Sequence, residues 1–400
     1  MPFFSQRAHL MPPSPIRKLV PFAEDARKQG IHVYNINIGQ PDIKTPQVFL
    51  DAIRHHNLDV LPYGHSAGLW EYRDELVKYY ARFNIHIDSN EIIVTNGGSE
   101  AIIFAMMICM DPGDNIIIPE PFYTNYNGFA VEAGVTIIPV TSRIEDGFKL
   151  PPIKEIERKI TRRTRAIMIC TPNNPTGYVY TRQEMESLRD LVLEHDLYLF
   201  SDEVYREFIY DGAEYTSVMH LEGLQERAVL LDSISKRYSA CGARIGCLIT
   251  HNRKILDAGL RLGQARLCPP TLEQIAAQAA VQTPASYFEE VIKEYKQRRD
   301  VVFEELKKIP NVVALKPQGA FYTIVKLPVD DANKFSIWLL KEYHHNHETI
   351  MLAPADGFYA TPGKGLDEVR IAFVLNVPAM KRSMEILREA LKVYPGRVTH

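Results

Sequence analysis

Apolar positions along the chain switch between two periods, and the switching predicts strands separated by helices. Residues 92–95 (IIVT), 115–119 (NIIIP), 135–140 (VTIIPV), 165–170 (RAIMIC), 197–202 (LYLFSD), 228–235 (AVLLDSIS) and 247–250 (CLIT) read as short apolar strands. Between them, residues 101–110 (AIIFAMMICM) read as a buried helix with its N-terminus near Ser99. Residues 126–133 read as a short helix. Residues 181–195 read as a helix opened by a capping box of Thr181 and Glu184. Continuously apolar strands alternating with helices predict a mostly parallel sheet, covered on both faces.

The flanks have a different character. Residues 1–18 carry prolines at 2, 12, 13 and 15, which predicts an extended lead-in. Residues 19–29 read as a helix stopped by Gly30, and 32–39 as a strand ending at Gly39. Pro46 opens a further helix, and residues 69–83 form another. A helical run at 272–308 precedes two apolar stretches, VVALKPQGAFYTIVKL and VRIAFVL, expected to be antiparallel or mixed strands. Helices are expected at 331–346 and 378–392, with His344, His345 and His347 ending the first of them. The resulting plan is an N-terminal arm and part of a small domain at 1–46, a large domain at 47–290, and a small α+β domain at 291–400.

Composition narrows the functional classes. The 400 residues are 46% hydrophobic and 24% charged, with a formal charge of -3. That balance gives no general attraction for nucleic acid or an acidic membrane. The longest apolar runs are too short to span a bilayer, and the first residues do not resemble a secretory leader. Five cysteines without a CxxC pair fit a reduced, cytoplasmic setting.

Ligands in open α/β sheets bind beyond the carboxyl ends of the strands. Polar residues gather at those points: Gly97, Gly98 and Ser99; Asn173 and Asn174; Asp202 and Tyr205; Ser233, Ser235 and Lys236. A lysine after a strand suits a Schiff base with a carbonyl cofactor. It equally suits an exposed or phosphate-binding role. Asp202 suits a protonated pyridine nitrogen, or the cap of a following helix. Asp202 and Glu203 are adjacent and no nearby histidine completes a ligand set, so no metal is expected. The Gly98-Ser99 turn leads into a helix N-terminus, which favours phosphate, although a simple tight turn looks the same. Arg244, between Gly242 and Gly246, suits a bidentate phosphate contact. Arg370 sits inside an apolar strand pattern and should face a carboxylate, from a buried Glu or a substrate.

Taken together, residues 14–395 resemble the fold-type-I pyridoxal-phosphate enzymes of the class I/II aminotransferase superfamily, within the aspartate/aromatic group. The resemblance is carried by SISKRYSACGARIG, SDEVYRE, TPNNPTG, EPFYTNY, YGHSAGLWEYR and NIGQPD, in family order. It implies an α/β fold with a mostly parallel seven-stranded sheet in the large domain and a smaller α+β domain. Lys236 matches the lysine that carries pyridoxal 5'-phosphate and shuttles the substrate proton. Asp202 and Tyr205 match the contacts to the pyridine nitrogen and the phenolate oxygen, and Asn174 also matches a phenolate contact. Ser233, Arg244 and the Gly98-Ser99 turn match phosphate ligands, and Tyr123 the aromatic residue stacked on the ring. Tyr63 matches a tyrosine that reaches the neighbouring subunit's phosphate, which implies a homodimer with shared sites. Arg370 and Gly39 match the substrate α-carboxylate site.

The implied substrates are an L-amino acid and a 2-oxo acid, with glutamate and 2-oxoglutarate as one pair. Aspartate or an aromatic amino acid is expected as the other. A related bacterial branch has a distal-carboxylate lysine where this chain has Ser99. Arg261 or Arg266 is the expected replacement, with Arg266 preferred because it lies closest to Cys268-Pro269-Pro270, a stretch resembling the part that reaches the neighbouring subunit's site. The competing reading is a lyase or synthase of the same superfamily, such as a carbon-sulfur lyase or an aminocyclopropane-carboxylate synthase.

Overall fold

The computed structural model describes residues 2–57 and 59–398. Its first strand, β1 (His32–Asn35), lies apart from the main sheet. The main sheet comprises β2 (Ile92–Asn96), β3 (Asn115–Glu120), β4 (Thr136–Thr141), β5 (Thr164–Cys170), β6 (Tyr198–Asp202), β7 (Ala228–Ser233) and β8 (Ile245–Ile249). Its seven strands run in the order β2-β8-β7-β6-β5-β3-β4. Among these seven, β8 alone runs opposite to the others.

The continuous apolar runs are explained by burial on both faces. Ile167, Ile169, Leu199 and Leu230 point into one core cluster. Met168, Phe200, Val229 and Leu231 point into the other. A strand with only one covered face would have alternated polar and apolar residues.

The remaining strands are β9 (Val313–Ala314), β10 (Tyr322–Lys326), β11 (Glu348–Met351), β12 (Ala353–Pro354) and β13 (Glu368–Ala372). A four-stranded antiparallel sheet has the order β12-β13-β10-β9, and β1 pairs in parallel with β11. The early helix Val20–Lys28 buries Ala23 and Ala26, with Leu19, against Leu340 and Met351. The N-terminal segment is thus built into the C-terminal elements. Among the described residues, no helix is long and apolar enough to cross a membrane.

Several local expectations are corrected. The lead-in is not fully extended: Ser5 caps a short helix, Gln6–Leu10, and Arg17–Leu19 form a 3-10 turn. The strand expected to reach 235 ends at Ser233, whose Oγ accepts from Ser235 N (3.1 Å). This turns Ile234–Arg237 into a single helical turn carrying Lys236. The run at 272–308 is two helices, Thr271–Ala280 and Ala285–Leu306, separated before the Pro284 cap. The helix Arg253–Arg266, capped by Asn252, was not read from the sequence. The helix expected over 331–346 stops at Lys341, where Tyr343 folds back and stacks on Trp338 with ring centroids 4.9 Å apart. The three histidines therefore lie in the turn before β11 rather than on a helix.

A buried charge network braces the end of the sheet. Asp232, at 2% exposure, accepts from Arg206 Nη1 (3.1 Å), Tyr80 Oη (2.5 Å) and Arg237 Nη2. Arg206 also pairs with Glu203 (3.2 Å), which is itself fully buried. The two guanidiniums hold the Asp232 carboxyl below its usual range, against the opposing effect of burial. Replacing Asp232 by Asn leaves the buried Arg237 guanidinium without its anion and Arg206 with Glu203 alone. Asp232→Asn is expected to lower unfolding stability by ~3–5 kcal/mol. Chemical denaturation of the purified variant checks this, and an unchanged midpoint would rule out the bracing role.

Candidate active site

The carboxyl ends of β5, β6 and β7, together with the end of β2, face one cleft. Its volume is 280 Å³. Of the residues given a role by the family resemblance, all but Tyr63 and Arg266 line it.

Lys236 reaches the cleft because the helical turn after β7 redirects the chain. Its Nζ donates to Gly39 O (2.8 Å) and lies 3.5 Å from Cys241 Sγ. Gly39 comes from the other part of the fold, and its side is crowded by Tyr322. A Cβ at Gly39 would stand 1.6 Å from Tyr322 Oη, so this position requires glycine.

Asp202 closes β6 at 8% exposure. Burial pushes its pKa up to about 6, opposed by the hydrogen bond it accepts from Tyr126 Oη (2.6 Å). A buried carboxylate with a single strong donor has capacity for a cationic N–H partner. Tyr205 sits beside it, with its hydroxyl 2.9 Å from Tyr322 Oη and 3.4 Å from Asn174 Nδ2.

The opposite end of the cleft is built for an anion. Gly98 and Ser99 lie in the first turn of the helix Gly97–Cys109. Arg244 adopts a left-handed backbone (φ 57°), which folds its guanidinium over Gly97. A Cβ on Gly97 would lie 2.3 Å from Arg244 Nη2. Ser233 Oγ lies 2.7 Å from Ser235 Oγ and 3.0 Å from Ile245 O. Backbone N–H groups, hydroxyls and a guanidinium converge here, a donor set suited to phosphate.

Among the described residues, Arg370 meets no carboxylate. At 2% exposure it donates to Asn174 Oδ1 (3.0 Å) and Asn37 O (2.5 Å). Its guanidinium lies 4.5 Å from the Tyr322 ring centroid and 4.8 Å from that of Phe358. Among the described residues it has no ion pair, and its Nε has no hydrogen-bond partner. Burial lowers its pKa, opposed by the neighbouring Tyr322. A buried guanidinium paired only with neutral oxygens retains a strong preference for an anion.

Two expected residues are elsewhere. Arg266 Nη2 donates to Ser66 O (3.2 Å) and Val94 O (3.3 Å), and its Nη1 lies 3.6 Å from Glu100. Its Nη2 is held within its own chain, and Arg266 does not line that chain's cleft. Tyr63 is 79% exposed and outside the cleft of its own chain.

Sequence reasoning missed Tyr322, Tyr126 and Arg17. Tyr322 opens an apolar strand and Tyr126 lies in a buried helix, positions where a phenol requires a hydrogen-bond partner. That requirement was the available signal. Arg17 gave none, because nothing in a proline-rich lead-in says which way its side chain faces.

The model of the family described as aminotransferase class I and II matches residues 31–355. An aspartate aminotransferase of Thermotoga maritima is 31% identical over 389 residues, covering 97% of this chain and 99% of the relative. An aromatic-amino-acid aminotransferase of Thermococcus litoralis is 30% identical, covering 97% and 98%. A solved alanine aminotransferase of Pyrococcus furiosus superposes with a TM-score of 0.88 at 30% identity, covering 98% of this chain and all of that one. The chain has the fold-type-I architecture, and it belongs to the class I and II aminotransferases.

Proposed function

We propose that this protein is a pyridoxal 5'-phosphate-dependent aminotransferase. It moves an amino group between an L-amino acid and a 2-oxo acid, with glutamate and 2-oxoglutarate as one pair and aspartate or an aromatic amino acid as the other. One juxtaposition carries the reading: the Lys236 amine and the unpaired Arg370 guanidinium share a cleft with the phosphate-suited turn.

The bound cofactor supplies an electron sink for the charge released at the substrate Cα. The residues then divide the work. Lys236 would hold the cofactor, and its Nζ would move the Cα proton as general base and acid. Asp202 holds the ring nitrogen in its protonated form. Tyr205 and Asn174 hold the phenolate oxygen, and Tyr123 covers the ring. Gly98, Ser99, Ser233 and Arg244 hold the phosphate. Arg370 fixes the α-carboxylate through paired hydrogen bonds, with Gly39 alongside. Tyr63 reaches the partner subunit's phosphate in a homodimer, which its exposure in the single chain permits. The proposed setting is cytoplasmic.

Lys236→Ala is expected to reduce turnover by at least ~10²-fold, since general acid–base transfer alone contributes that much. Single-turnover spectra with a panel of amino acids test the assignment. Wild-type protein should convert bound cofactor to the amine form and release a matching 2-oxo acid. Ammonia and pyruvate released from cystathionine without an acceptor would instead identify a lyase.

Asp202 also sets a pH dependence. Its folded pKa, about 6, is raised above its ordinary value of 3.8. In the cofactor-free protein the folded state therefore binds more protons, and the Asp202 contribution to stability falls as pH rises between those values. Cofactor binding has the opposite sign, because only the ionised carboxylate pairs with the protonated ring nitrogen. Cofactor retention is expected to weaken as pH falls through about 6, and Asp202→Asn should abolish that dependence. Equilibrium dialysis across this range measures both.

A further inference from the structure

The cleft is lined by four cationic side chains, Arg17, Lys236, Arg244 and Arg370, and by one carboxylate, Asp202. The function proposed above gives a partner to every one of them except Arg17. Lys236 and Arg244 hold the cofactor, and Arg370 the α-carboxylate. Among the described residues, the Arg17 guanidinium makes no hydrogen bond or ion pair; only its backbone is bonded, its N donating to Ser14 Oγ (3.3 Å) and its O accepting from Val20 N. Its side chain is exposed at the cleft.

The backbone under Arg17 is anchored from both sides. Pro15 packs on Gly357, where an added Cβ would stand 2.4 Å from Pro15 Cβ. Ile16 packs on the apolar cluster containing Phe358, the ring that flanks the Arg370 guanidinium. Leu19 is fully buried. Arg17 therefore projects from a segment seated on the same wall as Arg370, and its place at the cleft does not depend on a loose chain end.

We propose that Arg17 binds the second carboxylate of a dicarboxylic amino acid and of the matching 2-oxo acid. It takes the role that sequence reasoning gave to Arg266. This inference rests on the aminotransferase reading above and names its substrate class. A guanidinium fork matches a carboxylate with two parallel hydrogen bonds. Its exposure also matters. An exposed cation left unpaired keeps its hydration, so a neutral side chain can occupy the apolar wall of Ile16, Ile38 and Tyr123 without stranding a buried charge. Arg17 thus favours dicarboxylates without excluding neutral substrates.

The test uses the holoenzyme and compares half-reaction rates with glutamate and with phenylalanine. Arg17→Gln is expected to lower kcat/KM for glutamate roughly 10- to 100-fold, the range for loss of a hydrogen bond to a charged group, and to leave phenylalanine unchanged. Arg17→Lys, which keeps the charge and loses the fork, should fall between. Equilibrium binding provides a second readout: the wild type should prefer glutarate to butyrate, and Arg17→Gln should lose that preference. Equal losses for both amino acids, or no loss for glutamate, would overturn the proposal. If wild-type protein discharges with no amino acid, the aminotransferase reading fails, and glutarate binding still decides separately whether Arg17 is a carboxylate site.

Discussion

Asp232 holds two guanidiniums in a region closed to water, and the geometry of the cleft depends on that arrangement. Four network residues each sit directly beside a residue of the cleft. Glu203 follows Asp202, Arg206 follows Tyr205, Asp232 precedes Ser233, and Arg237 follows Lys236. One member of each pair faces the cleft and its neighbour enters the buried network. The ends of β6 and β7 are thereby clamped together from behind. A surface ion pair would not serve, because solvent screening leaves it worth little. Here two acids and two arginines are enclosed together, aided by Tyr80 and by the ring of Tyr79, whose centroid lies 3.7 Å from the Arg237 guanidinium.

The cleft separates its charges by environment. Asp202 is buried with only Tyr126 as a strong donor, so its carboxyl titrates high. Asp232, next to Ser233 and four positions before Lys236, is also buried but lies between two arginines, so its carboxyl titrates low. Burial alone would have raised both. The difference lies in the neighbours, and it leaves Asp202 available for a cationic partner while Asp232 remains a structural anion.

The small antiparallel sheet closes the opposite side. The β10–β13 pairing sets Ile324 against Arg370, and Tyr322 against Ala372. Tyr322 then touches Gly39, Tyr205 and the face of Arg370. A single phenol so links the two parts of the chain across the cleft. The N-terminal segment rests on this assembly, since Ile16 and Pro15 pack on the residues around Phe358.

Local chemistry determined much of this in the sequence. The seven apolar runs became the seven strands because strands buried on both faces admit little except apolar residues. Thr181 and Glu184 formed their capping box because every atom it needs lies within four residues. Lys236, Asp202, Asn174 and Arg244 were legible because each follows a strand or sits in a glycine-flanked turn with its family neighbours. Tertiary structure alone decided which remote groups would meet. Arg370 needed a polar partner wherever it went, but only the fold supplied Asn174 and the Asn37 carbonyl in place of a carboxylate. Arg266 and Arg17 carry the same guanidinium. The first is held by carbonyls at 66 and 94 and faces Glu100, and the second has no side-chain partner among the described residues. Sequence specifies the charge a residue carries, whereas contacts between distant segments determine whether that charge is already satisfied.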